Sequence, residues 1–103
     1  MKEELLIFKA LSEPMRVELL KMINTKEKMC VCELVDSFDI SQSKLSYHLK
    51  MLLEANLLLL HPHGKWNFYS VHRELLNNIL TQQVLDKLNL ENIIKNLEKG
   101  KQV

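Results

Sequence analysis

Two apolar stripes separated by a very short polar break constrain this chain more than any other feature. Val31, Leu34, Val35 and Phe38 fall at i, i+3, i+4 and i+7, which predicts a short helix with one buried face. Asp39-Ile40 is a tight connection, and Ser41 is an N-cap for the next helix. In that helix Leu45, Leu49, Leu52 and Leu53 point inward, while Ser43, Ser46, Tyr47, Lys50 and Glu54 share the opposite face. A helix, a brief turn and a second helix patterned this way predict a helix-turn-helix.

The flanking sequence extends the unit. Leu5, Leu6 and Phe8 belong to an N-terminal helix ending near Leu11. Ser12 then caps a second helix, with Glu13 and Pro14 in its first turn and Met15, Leu19, Met22 and Ile23 on its inner face as far as Asn24. Residues 25–28 read as a polar loop. After Asn56, residues 57–61 and 66–71 read as two strands joined by Pro62-His63-Gly64-Lys65, a β-hairpin or wing. From His72 the apolar spacing is helical again through Leu75, Leu76, Ile79, Leu80, Val84 and Leu88. Asn89 caps a last segment carrying Ile93, Ile94 and Leu97.

The expected fold is therefore mainly α with a small β-hairpin: one winged helix-turn-helix domain over residues 1–103. Helices at about 2–11 and 72–99 carry more apolar side chains than so small a core can cover, which predicts a symmetric homodimer through them. The scarcity of glycine and proline, two of each, argues against a turn-rich all-β fold. The net charge of +1 is no nucleic-acid signature by itself, so a DNA surface has to be local.

That surface is expected on the second helix of the pair. Gln42, Ser43, Ser46 and Tyr47 occupy the half that enters a major groove, with Gln42 suited to adenine. Lys44 and Lys50 suit phosphates. His63 and Lys65 stand at the wing tip. His48 has two readings, a DNA contact or a helix-packing histidine. His61 and His63 share a strand face without a third ligand nearby, a weak metal site.

The chain holds two cysteines, one residue apart, in Cys30-Val31-Cys32-Glu33-Leu34. Acidic residues at Glu3 and Glu4, where a leader would need none, point to a cytoplasmic protein with reduced thiols. The longest apolar run is too short to cross a bilayer. A disulfide between Cys30 and Cys32 is expected to be poor because its ring is so small. Cys30 takes the capping position of the third helix and Cys32 its first turn, where the helix end and Lys28 favour thiolate. Soft ions such as trivalent arsenic prefer such ligands. Residues at i and i+2 of a helix point about 200° apart, so joint chelation is expected to pull the start of this helix out of helical geometry. The other reading is two small buried apolar cysteines.

These motifs resemble the ArsR/SmtB winged-helix repressors. The resemblance rests on Leu11-Ser12-Glu13-Pro14-Met15-Arg16, on Cys30-Val31-Cys32-Glu33-Leu34, on Ser41-Gln42-Ser43-Lys44-Leu45-Ser46-Tyr47-His48-Leu49-Lys50-Met51-Leu52, and on the wing residues Trp66-Asn67-Phe68-Tyr69. It covers roughly residues 5–85. It implies a dimer on double-stranded operator DNA, no required cofactor, and release by trivalent arsenic or antimony at Cys30 and Cys32. Three departures stand out. Arsenite sensors of this type often have a third cysteine where this chain has Val35, and the N-terminal arm lacks the cysteines of cadmium sensors. The family's zinc site is absent, since His72 and Asp86 have the wrong spacing. A redox or reactive-sulfur sensor of the same fold, a small thiol–disulfide enzyme and a structural helical adaptor are the competing functions. The enzyme lacks support from any thioredoxin-like strand pattern, catalytic triad or phosphate-binding glycine loop.

Overall fold

A computed structural model describes residues 2–79 of the chain. Among the described residues four helices precede the wing and one follows it: α1 (Lys2–Leu11), α2 (Pro14–Lys26), α3 (Val31–Ser37), α4 (Gln42–Glu54) and α5 (Arg73–Ile79). Three strands, β1 (Met29–Cys30), β2 (Leu58–His63) and β3 (Trp66–Val71), form one antiparallel sheet in the order β1-β3-β2. The winged helix-turn-helix expected from the sequence is the fold observed. The expected helical residues beyond 79, including Leu80, Val84, Leu88, Ile93, Ile94 and Leu97, lie outside the described part.

The helices surround a single apolar core. Leu19, Leu20 and Ile23 of α2, Leu34 of α3, Leu45, Leu49 and Leu52 of α4 and Leu76 of α5 are all fully buried in it. Each such side chain contributes about 1.5–3 kcal/mol through loss of water contact. The α3 stripe is anchored by Leu34, with Val31, Val35 and Phe38 half-buried against the same core. Ser41 caps α4 as expected, its hydroxyl accepting from the Lys44 N–H at 3.2 Å.

The end of α4 is set by Asn56, which adopts a positive φ of 61°. The Leu57 N–H donates to the Leu52 carbonyl and the Asn56 N–H to the Leu53 carbonyl, both at 2.9 Å. This pair of bonds is a Schellman motif, with Leu52 and Leu57 both buried across it. Asparagine tolerates the left-handed region that the motif requires. The chain therefore leaves α4 directly into β2, and the wing is aimed by that cap.

Several boundaries differ from the sequence reading. Glu13, not Ser12, is the N-cap of α2, and its carboxylate accepts from the Met15 N–H at 3.2 Å. Ser12 instead donates to the Lys9 carbonyl at the end of α1. Helix α2 continues to Lys26, so part of the expected polar loop is helical. Strand β2 runs through Pro62 and His63 and leaves only Gly64 and Lys65 as the turn, with Gly64 at φ 62°. A positive φ at the first turn residue matches the twist of a two-residue hairpin. Pro62 is tolerated because β2 is an edge strand, with one side unpaired in the sheet.

The strand β1 was not expected at all. Met29 pairs with Tyr69 and Cys30 with Phe68, so the segment before α3 is stitched to the central strand of the wing. Two residues are too few for an alternation pattern to register.

A buried arginine joins α1, α2 and α4. Arg16 is 7% exposed; its Nε donates to the Ala10 carbonyl at 2.7 Å and its Nη2 to the Lys9 carbonyl at 3.1 Å. Both acceptors lie in the last turn of α1, where helix carbonyls have no internal partner. Arg16→Met should cost about 2 kcal/mol by removing charge-assisted bonds and taking from the Ala10 carbonyl its Arg16 donor, while Ser12 still serves that of Lys9. Urea denaturation reads this as a lower midpoint at unchanged slope.

Candidate functional site

The outward face of α4 carries Gln42, Ser43, Lys44, Ser46, Tyr47 and Lys50, all exposed. The spacing of the inward leucines dictates this, since each intervening polar residue is turned away from the core. Lys50 lies 3.9 Å from Glu54, one turn on, with both side chains largely in solvent. Such a pair is worth under about 1 kcal/mol, too little to hold Lys50 from a phosphate. At the wing, His63, Lys65, Trp66 and Asn67 are exposed, and the Lys65 ammonium lies 5.6 Å from the Trp66 ring centroid.

His48 does not join the outward set. It is half-buried, and its Nδ1 lies 3.1 Å from Arg16 Nη1. A guanidinium only donates, so Nδ1 is the acceptor and the proton sits on Nε2. The structure thus favours the packing reading of His48. Arg16 ties the recognition helix to the end of α1 through this ring.

At the other end of the site, Cys30 and Cys32 are joined by a disulfide. This corrects the expectation of a free pair, and the reason is local. Cys30 is not helical: it is the N-cap of α3, extended at φ −91° and ψ 164°, and a residue of β1. The i to i+2 divergence holds only inside a helix. Here an extended residue precedes the first turn, and the Cα atoms lie 5.4 Å apart, within reach of bridging. The two sulfurs therefore meet while α3 remains helical from Val31, and the expected unwinding is not needed to bring them together. Glu33 secures this start, its carboxylate accepting from the Cys30 N–H at 3.0 Å in the manner of a capping box. Cys30 is buried and Cys32 exposed, so it is Cys30 rather than Val31 that is the more deeply enclosed.

A groove of about 640 Å³ connects the two halves of the site. Cys32, Val35 and Asp36 of α3 form one wall, Gln42 and Ser46 of α4 another, and Lys65, Trp66 and Asn67 of the wing a third. The sequence reading missed Trp66, Asn67 and Asp36. An aromatic beside a basic hairpin turn was the available signal for Trp66. His61 faces Ser70 across the hairpin, its Nε2 2.7 Å from the hydroxyl oxygen. Among the described residues no three His, Cys, Asp or Glu side chains cluster as a metal site.

A helix-turn-helix with its polar face open and a basic hairpin beside it defines a winged-helix DNA-binding regulator. Residues 13–58 match the family model for bacterial regulatory proteins of the arsR family. The arsenical resistance operon repressor of Bacillus subtilis (strain 168) is 42% identical over 77 residues, which span 75% of this chain and 73% of that protein. That of Staphylococcus xylosus is 34% identical over 102 residues, covering 96% and 95% of the two chains. Among solved structures, an ArsR-like transcriptional regulator from Rhodococcus sp. RHA1 superimposes with a TM-score of 0.69 at 24% identity, over 98% of this chain and 92% of that one. The chain belongs to the arsR family; it is a transcriptional repressor of that family and not an enzyme. No described helix is long and apolar enough to cross a membrane.

The His48 ring titrates below the ordinary histidine value of 6.5, first because it is partly desolvated and then because Arg16 and Lys44 repel a second cation; Glu13 opposes this more weakly than Arg16. The folded state binds the proton less readily than the unfolded chain. Stability should therefore rise as pH climbs through the window from the lowered pKa up to 6.5, and be lower on its acid side. Thermal melts at pH 7.5 and 5.5, two values that bracket roughly the ordinary histidine range, should show a larger loss for the wild type than for His48→Gln.

Proposed function

We propose that this protein is a metalloid-responsive repressor that binds double-stranded operator DNA as a homodimer in the cytoplasm and lets go when trivalent arsenic or antimony occupies Cys30 and Cys32. The observation that carries the reading is the convergence of the two sulfurs beside the groove shared by the recognition helix and the wing. The names of the Bacillus and Staphylococcus relatives, arsenical resistance operon repressors, support it. A thiol reductant opens the disulfide by exchange, giving the dithiol and an oxidised reductant. Arsenous acid then condenses with both thiols, releasing two waters, and arsenic stays trivalent.

In the DNA-bound state Gln42, Ser43, Ser46 and Tyr47 read the major groove, while Lys44, Lys50 and Lys65 meet phosphates and His63 lies at the wing tip. Leu5 and Phe8 of α1, each more than half exposed, supply apolar surface for the dimer contact. Cys30 belongs to the strand that pairs with β3, and Cys32 to the helix that packs on α4. An atom inserted between the sulfurs therefore strains the wing and the reader together. DNA and inducer oppose each other by one coupling energy.

The disulfide itself favours a second reading, a redox sensor of the same fold. There a peroxide-class oxidant takes two electrons and two protons from the dithiol, and the S–S bond replaces the metalloid as the signal.

Anisotropy of labelled operator DNA separates the two. The reduced wild type should be released by arsenite, with Cys30→Ser and Cys32→Ser each raising the required arsenite concentration at least roughly tenfold, about 1.4 kcal/mol. Release by oxidant with no response to arsenite would favour the redox reading. Unchanged arsenite release in both variants would refute the metalloid reading.

A further inference from the structure

Trivalent arsenic held by Cys30 and Cys32 has one valence left, and the chain has no third cysteine. Val35, one turn beyond Cys32 and in the wall of the same groove, offers no donor atom. Arsenic is soft and takes sulfur in preference to water. A third sulfur has to come from outside the chain.

The groove beside Cys32 has the size and chemistry to hold its carrier. Its volume of about 640 Å³ is that of an ordinary small-molecule site. Asp36 and Lys65 bring opposite charges to it, Gln42 and Ser46 add hydrogen-bonding groups, and Trp66 provides an apolar wall. Lys65 and Asp36 are both exposed and neither is engaged in a described ion pair with the other, so both are accessible to a ligand.

We propose that the groove binds a small monothiol bearing a carboxylate and an ammonium group, which supplies the third sulfur to arsenic bound at Cys30 and Cys32. This rests on the metalloid reading above. Arsenous acid, the protein dithiol and one monothiol combine to give three As–S bonds and three waters. Three As–O bonds and three S–H bonds break, and arsenic remains trivalent throughout. The carboxylate of the monothiol pairs with Lys65 and its ammonium with Asp36. The bound thiol then fills the gap between the recognition helix and the wing, and it takes from the DNA a cation that would otherwise meet a phosphate. The inducer is thus a ternary adduct, and the repressor responds to arsenic together with the thiol that accompanies it.

The test uses reduced full-length protein in thiol-free buffer, with arsenite alone, with arsenite and L-cysteine, and with arsenite and 2-mercaptoethanol. Arsenic-edge X-ray absorption counts the sulfurs around the metalloid, and Trp66, the sole tryptophan, reports binding by its fluorescence. Arsenite alone should show two sulfurs and one oxygen. L-cysteine should convert this to three sulfurs and tighten apparent arsenite binding roughly tenfold. 2-Mercaptoethanol, without charged groups, should tighten it less, and Lys65→Met should narrow the difference between the two thiols by removing the partner of the carboxylate. Arsenic that keeps its oxygen in the presence of L-cysteine overturns the proposal. So do equal gains from both thiols that Lys65→Met leaves unchanged. Absence of arsenic–sulfur ligation in every buffer would instead overturn the metalloid reading on which the proposal stands.

Discussion

The dual membership of Cys30 organises this molecule. It is the last residue of β1, paired with Phe68 of the wing, and also the N-cap of α3, held by the Glu33 carboxylate on its own N–H. One residue thus fixes where the sheet ends and where the scaffold helix begins. Because Cys30 is extended while Val31 is helical, its side chain swings toward Cys32 rather than away from it. The sulfur pair therefore sits where the strand paired to the wing meets the helix packed against α4.

A second constraint holds the reader from behind. Arg16 ties off the last carbonyls of α1 and meets the His48 ring on α4. The recognition helix is fixed on its buried side by leucines and by this polar strut, and on its outer side it is open. Its outward residues need no special geometry of their own. They are placed by the inward ones, and the Schellman turn at Asn56 places the wing relative to both.

Much of this was legible in the sequence. The apolar spacing from Val31 to Leu53 carries the helix-turn-helix, because burial selects period and face together. The wing was legible through Gly64 and the aromatic alternation after it. What escaped detection depended on contacts between distant segments. Strand β1 exists because β3 offers it a partner, and nothing in Met29-Cys30 alone declares a strand. The capping role of Glu13 went to a longer side chain than the usual preference, since Ser12 was drawn back to the Lys9 carbonyl. The relation of the cysteines was misjudged for the same reason. Cys30 is the cap that the sequence indicates, but a helical angle carried across it makes the pair diverge, whereas the strand pairing holds Cys30 extended. The packing role of His48 was one of two readings, and the position of Arg16, 32 residues earlier, favours it.

On this account the inducer acts by loading a preformed pair of sulfurs and straining the β1–β3 junction and the neighbouring groove, with α3 kept intact. Backbone chemical shifts of the reduced protein before and after arsenite test this most directly. Large changes should centre on Cys30, Phe68 and Trp66, while Leu34, Val35 and Asp36 keep helical carbon shifts. Loss of helical shifts across α3 would contradict the account, as would a spectrum in which Cys30 and Cys32 do not respond at all.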